Sequence, residues 1–464
     1  MSIERLKTGN SNLDEILHGG FLANTINVVM GAPGSGKTIL AEQLVFWNAT
    51  AAAPALYLTT LSEPLDKFIQ HGQTYSFFDS ARVGETVFYE DLGAMVRARG
   101  IGALTEIVTE LLAQWKPRVI VIDSFKALTE LIETPRERRT ILFDLASVLT
   151  AYKCTTFFIG EYASEMMTDL PEFAIADSIL MLLKQSTGVR EQRFLRVEKL
   201  RGSGSSPGMH SFNISEEGIV VFPRLLTPEI SPVYSSNHER VNTGIGGLDD
   251  MIEKGFWSGS TTLVAGPTGS GKTIIGLHFI REGVANNEPG VYVGFQENPV
   301  QLAKVMRNFN WDPEALLNET VFEMMYRSPV EMHLDSVASE LFNRVREGRV
   351  KRVVIDAIGD LKKSSADIQR FSEFMYALTQ WFATRNVTCL LLYELHDLFE
   401  TPRISDEEIS NMSDNIVLLN YTRGPEMERR LRIIKTRGSA HDHREHTLQI
   451  NSAGVSIGTL SSTK

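Results

Sequence analysis

Two copies of one phosphate-binding motif, Gly-x-x-x-x-Gly-Lys-Thr, constrain the fold of this 464-residue chain more than any other feature. The copies occupy residues 31–38 and 266–273 and lie 235 positions apart. In such a motif the glycines let backbone N–H groups curl around phosphate oxygens, the lysine reaches the β- and γ-phosphates, and the threonine ligates Mg²⁺. An apolar run precedes each copy and a helix-like stretch follows it, which is the strand–loop–helix arrangement that the motif requires. The sequence therefore predicts two sites for ATP and Mg²⁺.

Within each copy, the residues expected to touch the nucleotide are the glycines, the serine, the lysine and the threonine. In chain order they are Gly31, Gly34, Ser35, Gly36, Lys37, Thr38, Gly266, Gly269, Ser270, Gly271, Lys272 and Thr273. Lys37 and Lys272 are also expected to act in catalysis, because an ammonium group stabilises the charge that develops on a transferred phosphate. The alternative interpretation of each segment is a glycine-rich turn that binds nothing.

The repetition extends beyond the motif, so the chain is an internal duplication. Residues 4–9 correspond to residues 239–244, and residues 199–202 correspond to residues 435–438. In both halves, strand-like apolar runs alternate with helical stretches, which predicts an α/β fold with mostly parallel sheets flanked by helices.

The halves divide into a first domain over residues 1–226, a linker over 227–238 and a second domain over 239–464. Prolines and serines interrupt the hydrophobic periodicity in the linker.

Charge and composition exclude several classes of protein. The net charge is −11; residues 1–228 hold 21 basic and 26 acidic side chains, which gives −5, and the remainder therefore carries −6. Neither half is basic, which argues against tight non-specific binding to nucleic acid, although a ring can still enclose a basic channel. No apolar run is long enough to span a bilayer and no signal-peptide pattern opens the chain, so we expect a cytoplasmic protein without a membrane partner. Cys154 and Cys389 are expected to be buried thiols in a reducing compartment.

Two aspartates are the candidates to hold the Mg²⁺ shell together with Thr38 and Thr273. Asp123 and Asp356 each end a run of β-branched residues, where a P-loop domain places its metal carboxylate and where it contributes to catalysis. The alternative for each aspartate is a residue that caps a turn.

The general base is predicted in the second half only. Glu297 follows the strand-like run 291–295, and we expect it to activate water. When the halves are aligned on the proline that follows, Leu61 and Ser62 stand opposite Gln296 and Glu297, and Glu63 comes one position late. A shift of one residue at a strand end points a side chain elsewhere, so we expect hydrolysis mainly in the second domain.

Taken together, the two P-loops, the Asp-ended strands, the Lys-x-Arg-Gly segments and the run 437–442 resemble the KaiC family of two-domain RecA-like ATPases. The resemblance covers nearly the whole chain and implies tandem RecA-like domains that form a double-ring hexamer with ATP between neighbouring subunits. It also implies that the Lys-x-Arg side chains contact the phosphates of the next subunit: Lys199, Arg201, Lys435 and Arg437. Surface charges without a ligand are the alternative interpretation of these residues.

The chain departs from the family pattern in informative ways. The family usually carries two adjacent glutamates after the strand that follows the P-loop helix; here the second half keeps one. Some members phosphorylate a neighbouring Ser and Thr in the second domain, which correspond here to Ser410 and Asn411, while the first half has Phe173 and Ala174. The resemblance thus predicts at most a serine autokinase acting on Ser410, and a capping serine is the alternative. Clock members also carry a longer tail that docks an activator, so we expect this chain to lack that regulation.

Three functions remain open from the sequence. The leading hypothesis is a hexameric signalling ATPase that works with protein partners not identified by the sequence. The second is a non-enzymatic scaffold whose ring is assembled by ATP, and the third is a RecA-type ATPase that acts on DNA. His441, His443 and their acidic neighbours match no standard zinc spacing.

Overall fold

The computed structural model describes residues 4–60, 65–187, 190–228, 239–317, 321–348, 350–365, 367–395, 409–422 and 427–458. The chain divides into two compact units, Met1–Arg224 and Leu225–Lys464. Most of the expected linker, residues 229–238, lies outside the described residues, so its bounds stay a prediction.

The first unit is an α/β domain built on a nine-stranded sheet, and its first two strands form a separate two-stranded sheet. Its strands are β1 (Arg5–Leu6), β2 (Phe21–Leu22), β3 (Ile26–Gly31), β4 (Ala55–Thr59), β5 (Val87–Asp91), β6 (Val119–Asp123), β7 (Thr155–Gly160), β8 (Ser178–Thr187), β9 (Arg190–Leu200), β10 (His210–Ser215) and β11 (Gly218–Phe222). Its helices are α1 (Ser11–Ile16), α2 (Lys37–Asn48), α3 (Leu65–Gly72), α4 (Leu92–Arg99), α5 (Leu104–Trp115), α6 (Phe125–Thr129), α7 (Pro135–Ala151) and α8 (Pro171–Ile175).

The second unit repeats this plan. Its strands are β12 (Arg240–Val241), β13 (Phe256–Trp257), β14 (Thr261–Gly266), β15 (Gly290–Gly294), β16 (Phe322–Tyr326), β17 (Arg352–Asp356), β18 (Thr388–Glu394), β19 (Asn415–Thr422), β20 (Glu428–Thr436), β21 (His446–Asn451) and β22 (Gly454–Gly458). Its helices are α9 (Leu248–Met251), α10 (Lys272–Ala285), α11 (Pro299–Asn308), α12 (Pro313–Leu316), α13 (Leu334–Gly348), α14 (Ile358–Ser364), α15 (Ile368–Ala383) and α16 (Ile409–Met412).

Both sheets have the same topology. The first runs in the order β11-β10-β9-β8-β3-β7-β6-β4-β5, and the second runs in the order β16-β15-β17-β18-β14-β19-β20-β21-β22. In each, the strand that leads into the P-loop lies inside a run of six parallel strands, while three antiparallel strands extend one edge. The predicted fold, two α/β domains with mostly parallel sheets flanked by helices, is confirmed.

Each sheet is covered on both faces, and that burial explains its apolar strands. In the first unit one apolar cluster packs the sheet against α2, and a second packs it against α4, α5 and α7. Strands β3 and β7 are buried at every position, because parallel strands covered on both faces have no side exposed to water. Cys154 and Cys389 are buried and unpaired, as expected. No helix within the described ranges is long and apolar enough to cross a membrane.

A buried polar side chain ties the P-loop helix to the antiparallel edge in each unit. Gln43 on α2 accepts through Oε1 from the backbone N–H of Ile219 at 3.1 Å. His278, which stands 235 positions later on α10, accepts through Nε2 from the N–H of Val455 at 2.9 Å. Burial lowers the pKa of His278 to about 4, so its ring is neutral near pH 7 and keeps the lone pair that accepts this bond.

Acidification is therefore expected to destabilise the second unit through His278. Because the folded pKa of about 4 lies below the ordinary value of 6.5, the unfolded chain binds the proton first. The contribution of His278 to stability is complete above pH 6.5 and is lost as the pH falls towards 4. We expect His278→Gln, which copies the first unit, to flatten this part of the profile. Urea unfolding can follow it through Trp311, whose ring packs edge-on against His278 with centroids 4.7 Å apart.

The matched control is His278→Leu, which has similar bulk and no acceptor. It leaves the N–H of Val455 without its partner and should cost about 1–3 kcal/mol near neutral pH. A His278→Gln profile that runs parallel to that of the unmodified chain would contradict this role of His278.

Candidate functional site

The phosphate cradle is formed by glycines in conformations that other residues rarely adopt. Gly34 and Gly36 have φ of 70° and 101°, and Gly269 and Gly271 have φ of 73° and 106°. Glycine is the only residue that adopts these left-handed values without a steric penalty. The two loops follow β3 and β14, where successive N–H groups turn towards the carboxyl edge of the sheet.

The cradle also requires a close approach of the backbone, and it leaves polar groups available. A Cβ added at Gly31 would lie 2.2 Å from the carbonyl oxygen of Leu182, so a larger residue does not fit there. Ser35 and Ser270 are fully buried, and their hydroxyls have no hydrogen-bond partner among the described residues. A narrow cradle lined by a hydroxyl without a protein partner fits a bound phosphate chain.

The P-loop lysines are buried beside their loops. Lys37 Nζ donates to Ala32 O at 2.9 Å, and Lys272 Nζ donates to Gly266 O and Pro267 O at 2.9 Å each. Burial lowers the pKa of both lysines, while carboxylates at each site act in the opposite direction. A buried ammonium that meets mainly carbonyl oxygens is placed to bind a nearby polyanion.

A threonine and an aspartate meet in each domain where the metal shell was expected. Thr38 Oγ1 donates to Asp123 Oδ2 at 2.8 Å, and Thr273 Oγ1 donates to Asp356 Oδ2 at 2.7 Å. Burial raises the pKa of both aspartates, although their hydrogen bonds favour the ionised form. Hydroxyl and carboxylate oxygens are the ligands that Mg²⁺ prefers, so each threonine–aspartate pair fits a bound Mg²⁺. The peptide bond after each aspartate is cis.

A tyrosine that sequence reasoning missed completes this arrangement. Tyr57 donates to Asp123 Oδ2 at 2.8 Å, and Tyr292 donates to Asp356 Oδ2 at 2.5 Å. Both tyrosines are almost fully buried. They stand 235 positions apart, so the offset of the repeat would have identified them as a matched pair.

Glu297 lies at the carboxyl end of β15, half-buried, beside a second carboxylate. Burial raises its pKa, and the charge of Asp356 acts in the same direction. Its neighbour Gln296 donates through Nε2 to Asp360 Oδ2 at 3.0 Å. A carboxyl group with a raised pKa close to Asp356, the candidate metal ligand, suits a general base. The corresponding residues of the first half, Leu61, Ser62 and Glu63, lie outside the described residues.

The glutamates at the ends of β7 and β18 have different partners. Glu161 lies 4.0 Å from Lys37 Nζ. Glu394 instead accepts a hydrogen bond from the hydroxyl of Thr268 in the second P-loop, where the first loop has Pro33. The two P-loops therefore share a backbone shape but differ in the side chains that hold them.

The Lys-x-Arg residues of the first domain lie far from the P-loop of their own domain. Lys199 Nζ donates to Phe173 O at 3.1 Å, and Arg201 donates to Ala174 O at 3.2 Å. The backbone N–H of Arg201 bonds to Asp177 O, which follows α8 at the amino edge of the sheet. The length of β3 separates this edge from the P-loop, about 16 Å at a rise of about 3.3 Å per residue.

The second domain repeats this placement around Ser410. Lys435 Nζ donates to Ser410 O at 3.0 Å and to Ser413 O at 2.7 Å, and Arg437 donates to Asn411 O at 2.8 Å. Ser410 itself is 8% exposed and lies on α16, again at the amino edge of the sheet. Phe173 and Ser410 therefore occupy matching places, as their lysine contacts show.

No group of three or more His, Cys, Asp or Glu side chains is arranged to hold a metal ion in the part of the chain that the structure describes. His441 Nδ1 instead hydrogen-bonds the hydroxyl of Thr436 at 2.8 Å, and His446 pairs with Asp442 at 3.2 Å.

Comparison with known proteins agrees with this geometry. The profile of the family described as "ATPase: KaiC" matches residues 6–225 and 241–462. The circadian clock oscillator proteins KaiC of Rippkaea orientalis and Synechococcus elongatus are each 26% identical to this chain, over 98% of it and 89% of the relative. The circadian clock protein KaiC3 of Synechocystis is 27% identical, over 98% of this chain and 92% of the relative.

Proposed function

This chain belongs to the KaiC family of ATPases, and we propose that it assembles as a double-ring hexamer whose active sites are shared between neighbouring subunits. The observation that carries the proposal is the position of the Lys-x-Arg side chains. Lys199 and Lys435 lie at the sheet edge opposite the P-loop of their own domain, so they cannot reach that nucleotide. This position supports a contact with a nucleotide presented by another subunit.

Within one shared site, each chain supplies a different part of the chemistry. The P-loop and its buried lysine bind the triphosphate of ATP, while the threonine–aspartate pair holds Mg²⁺. Bound Mg²⁺ offsets the negative charge of the phosphates. The arginine and lysine of the neighbour stabilise the charge that develops on the transferred phosphoryl group.

Hydrolysis is proposed to occur mainly in the second domain. Glu297 is half-buried, has a raised pKa and lies near Asp356, so it can accept the proton of an attacking water. The charge of Lys272 acts against this rise in the pKa of Glu297 and favours its ionised form. Protein partners in the cytoplasm would recognise the nucleotide-dependent state of the ring.

Glu297→Gln should lower ATP turnover about a hundredfold, because the amide keeps the size of the side chain but cannot take a proton. Phosphate release with Mg²⁺ measures this rate, and ATP binding in the same variant should be unchanged. The matched variant is Gln296→Glu, which restores the second glutamate that the family usually carries and should raise the rate.

Turnover that survives in Glu297→Gln would reject the assigned base. An unmodified chain that assembles with ATP but releases no phosphate would favour the scaffold hypothesis. Stimulation by single-stranded DNA would favour the DNA-associated ATPase.

Sharing of the second-domain site can be tested by mixing two inactive variants. Lys272→Ala disables the P-loop but keeps the Lys-x-Arg side chains, while Arg437→Ala keeps the P-loop and removes the guanidinium. Each homogeneous ring should be inactive in this domain. Mixed rings should recover part of the activity, because one subunit supplies each half of the site.

The control is to mix Lys272→Ala with Glu297→Gln, both of which damage the P-loop side of one site. This mixture should stay inactive. If Arg437→Ala also fails to complement, Arg437 acts within its own subunit and the shared site is wrong.

A second candidate activity is autophosphorylation of Ser410. The carbonyl of Ser410 binds Lys435, so the residue lies beside the side chain that is proposed to meet the neighbour's phosphates. That contact favours a transfer between subunits over a transfer within one, and the buried position of Ser410 requires α16 to move first.

Incubation with γ-labelled ATP should therefore label the protein, and Ser410→Ala should remove the label. Ser413→Ala is the matched control, because Ser413 is a fully buried serine on the same segment whose carbonyl also binds Lys435. Free phosphate without bound label would leave a plain ATPase in which Ser410 is structural.

A further inference from the structure

A cleft of about 550 Å³ opens beside the first P-loop, and a lysine outside the motif is among the residues that line it. Its walls include Lys37, Thr38 and Asp123, and also Lys126 and Glu130 of the segment that follows β6. Lys126 Nζ lies 3.3 Å from Glu130 Oε1, one helical turn away. The lysine side chain is 25% exposed and that of the glutamate is 60% exposed, so the ammonium is the more enclosed partner.

The corresponding segment of the second domain has a different arrangement of charges. Asp123 and Asp356 are 233 positions apart, and the same offset brings Lys126 to Gly359 and Glu130 to Lys363. Helices α6 and α14 both begin two residues after their aspartate, which confirms this register. The first domain therefore has a lysine at the first position and a glutamate one turn later. The second domain has a glycine at the first position and a lysine one turn later.

The two walls also differ in the residue between these positions. Asp360 of the second domain is 4% exposed and accepts from Gln296, next to the base Glu297. The corresponding residue of the first domain is Ala127. The second site thus gathers carboxylates that suit water activation, and the first site adds a positive charge.

We propose that Lys126 contacts the terminal phosphate of the nucleotide in the first domain and makes that site prefer a nucleoside triphosphate to a diphosphate. The exposed ion pair with Glu130 holds the ammonium only weakly. A triphosphate that enters the cleft carries several negative charges and competes for it. Lys126 is thus a specificity-determining residue that keeps the first ring in its ATP-bound form while the second turns over.

The inference rests on the proposed nucleotide site of the first domain, and binding rather than turnover tests it. In full-length Lys272→Ala, only the first P-loop remains intact, and it can be titrated with the non-hydrolysable analogue AMP-PNP and with ADP. Lys126→Ala should weaken AMP-PNP about tenfold and leave ADP within about twofold, since one charge-assisted hydrogen bond to the terminal phosphate is lost. Lys126→Arg should keep most of the preference.

Glu130→Gln is the matched control, because it breaks the same ion pair and leaves the cation. If Lys126 binds phosphate, Glu130→Gln should bind AMP-PNP as well as the unmodified site or better. If the pair is only structural, Lys126→Ala and Glu130→Gln should behave alike, and that result would overturn the proposal. An equal loss of AMP-PNP and ADP in Lys126→Ala would also overturn it.

The second domain allows the reciprocal experiment. A Cβ added at Gly359 would meet no heavy atom within 4 Å, so Gly359→Lys has room on α14. In full-length Lys37→Ala, where only the second P-loop is intact, Gly359→Lys should raise the preference for AMP-PNP over ADP. No change in that preference would count against the role assigned to this position.

Failure of the underlying site is distinguishable from failure of the inference. Lys37→Ala combined with Lys272→Ala should bind neither nucleotide. If Lys272→Ala alone already binds neither, the first-domain site itself is wrong and the role of Lys126 falls with it. If it binds both nucleotides with no preference, the site stands and only the role of Lys126 is rejected.

Discussion

The hydrogen bond between the P-loop threonine and the strand-ending aspartate is the contact on which each site depends. Thr38 opens α2, whereas Asp123 ends β6, and β7 separates that strand from the P-loop strand. One bond therefore fixes the distance between the P-loop and the candidate metal carboxylate across an intervening strand. Tyr57 reaches the same carboxylate oxygen from β4, on the far side of β6. The second domain repeats this convergence, so the duplication conserves the frame of the site.

The two sites differ in charged residues outside that frame. Lys126 lines the first cleft, while Asp360 and Glu297 lie at the second site. These side chains come after the strands, at the carboxyl edge of each sheet. A duplicated fold can therefore change the charge of one site without disturbing the strands beneath it.

The antiparallel extension of each sheet determines where the Lys-x-Arg side chains can act. A parallel strand that leaves the amino edge must end at the carboxyl edge, and a hairpin returns the chain to where it started. Strands β8 and β9 make this return in the first domain, as β19 and β20 do in the second. The sheet itself thus separates the P-loop from the Lys-x-Arg residues of the same domain, and this separation supports the proposed sharing of a site between subunits.

The two P-loops, the duplication and the α/β class are all evident from the amino-acid sequence alone. Glycine spacing specifies a local backbone shape, and hydrophobic periodicity reports whether a strand is covered on both faces. Neither depends on which strands become neighbours. Sequence reasoning also singled out Asp123 and Glu297, because each follows directly from the end of a recognisable strand.

Contacts between residues far apart in the sequence are evident only in the tertiary structure. The bond from Tyr57 to Asp123, the place of Lys126 in the first cleft and the distance of Lys199 from its own P-loop all depend on strand order and helix packing. Alternating apolar runs predict that strands exist but leave their order in the sheet undetermined. The sequence therefore shows that a charged residue follows a strand, but the residue that it contacts is known only once the order of the strands in the sheet is known.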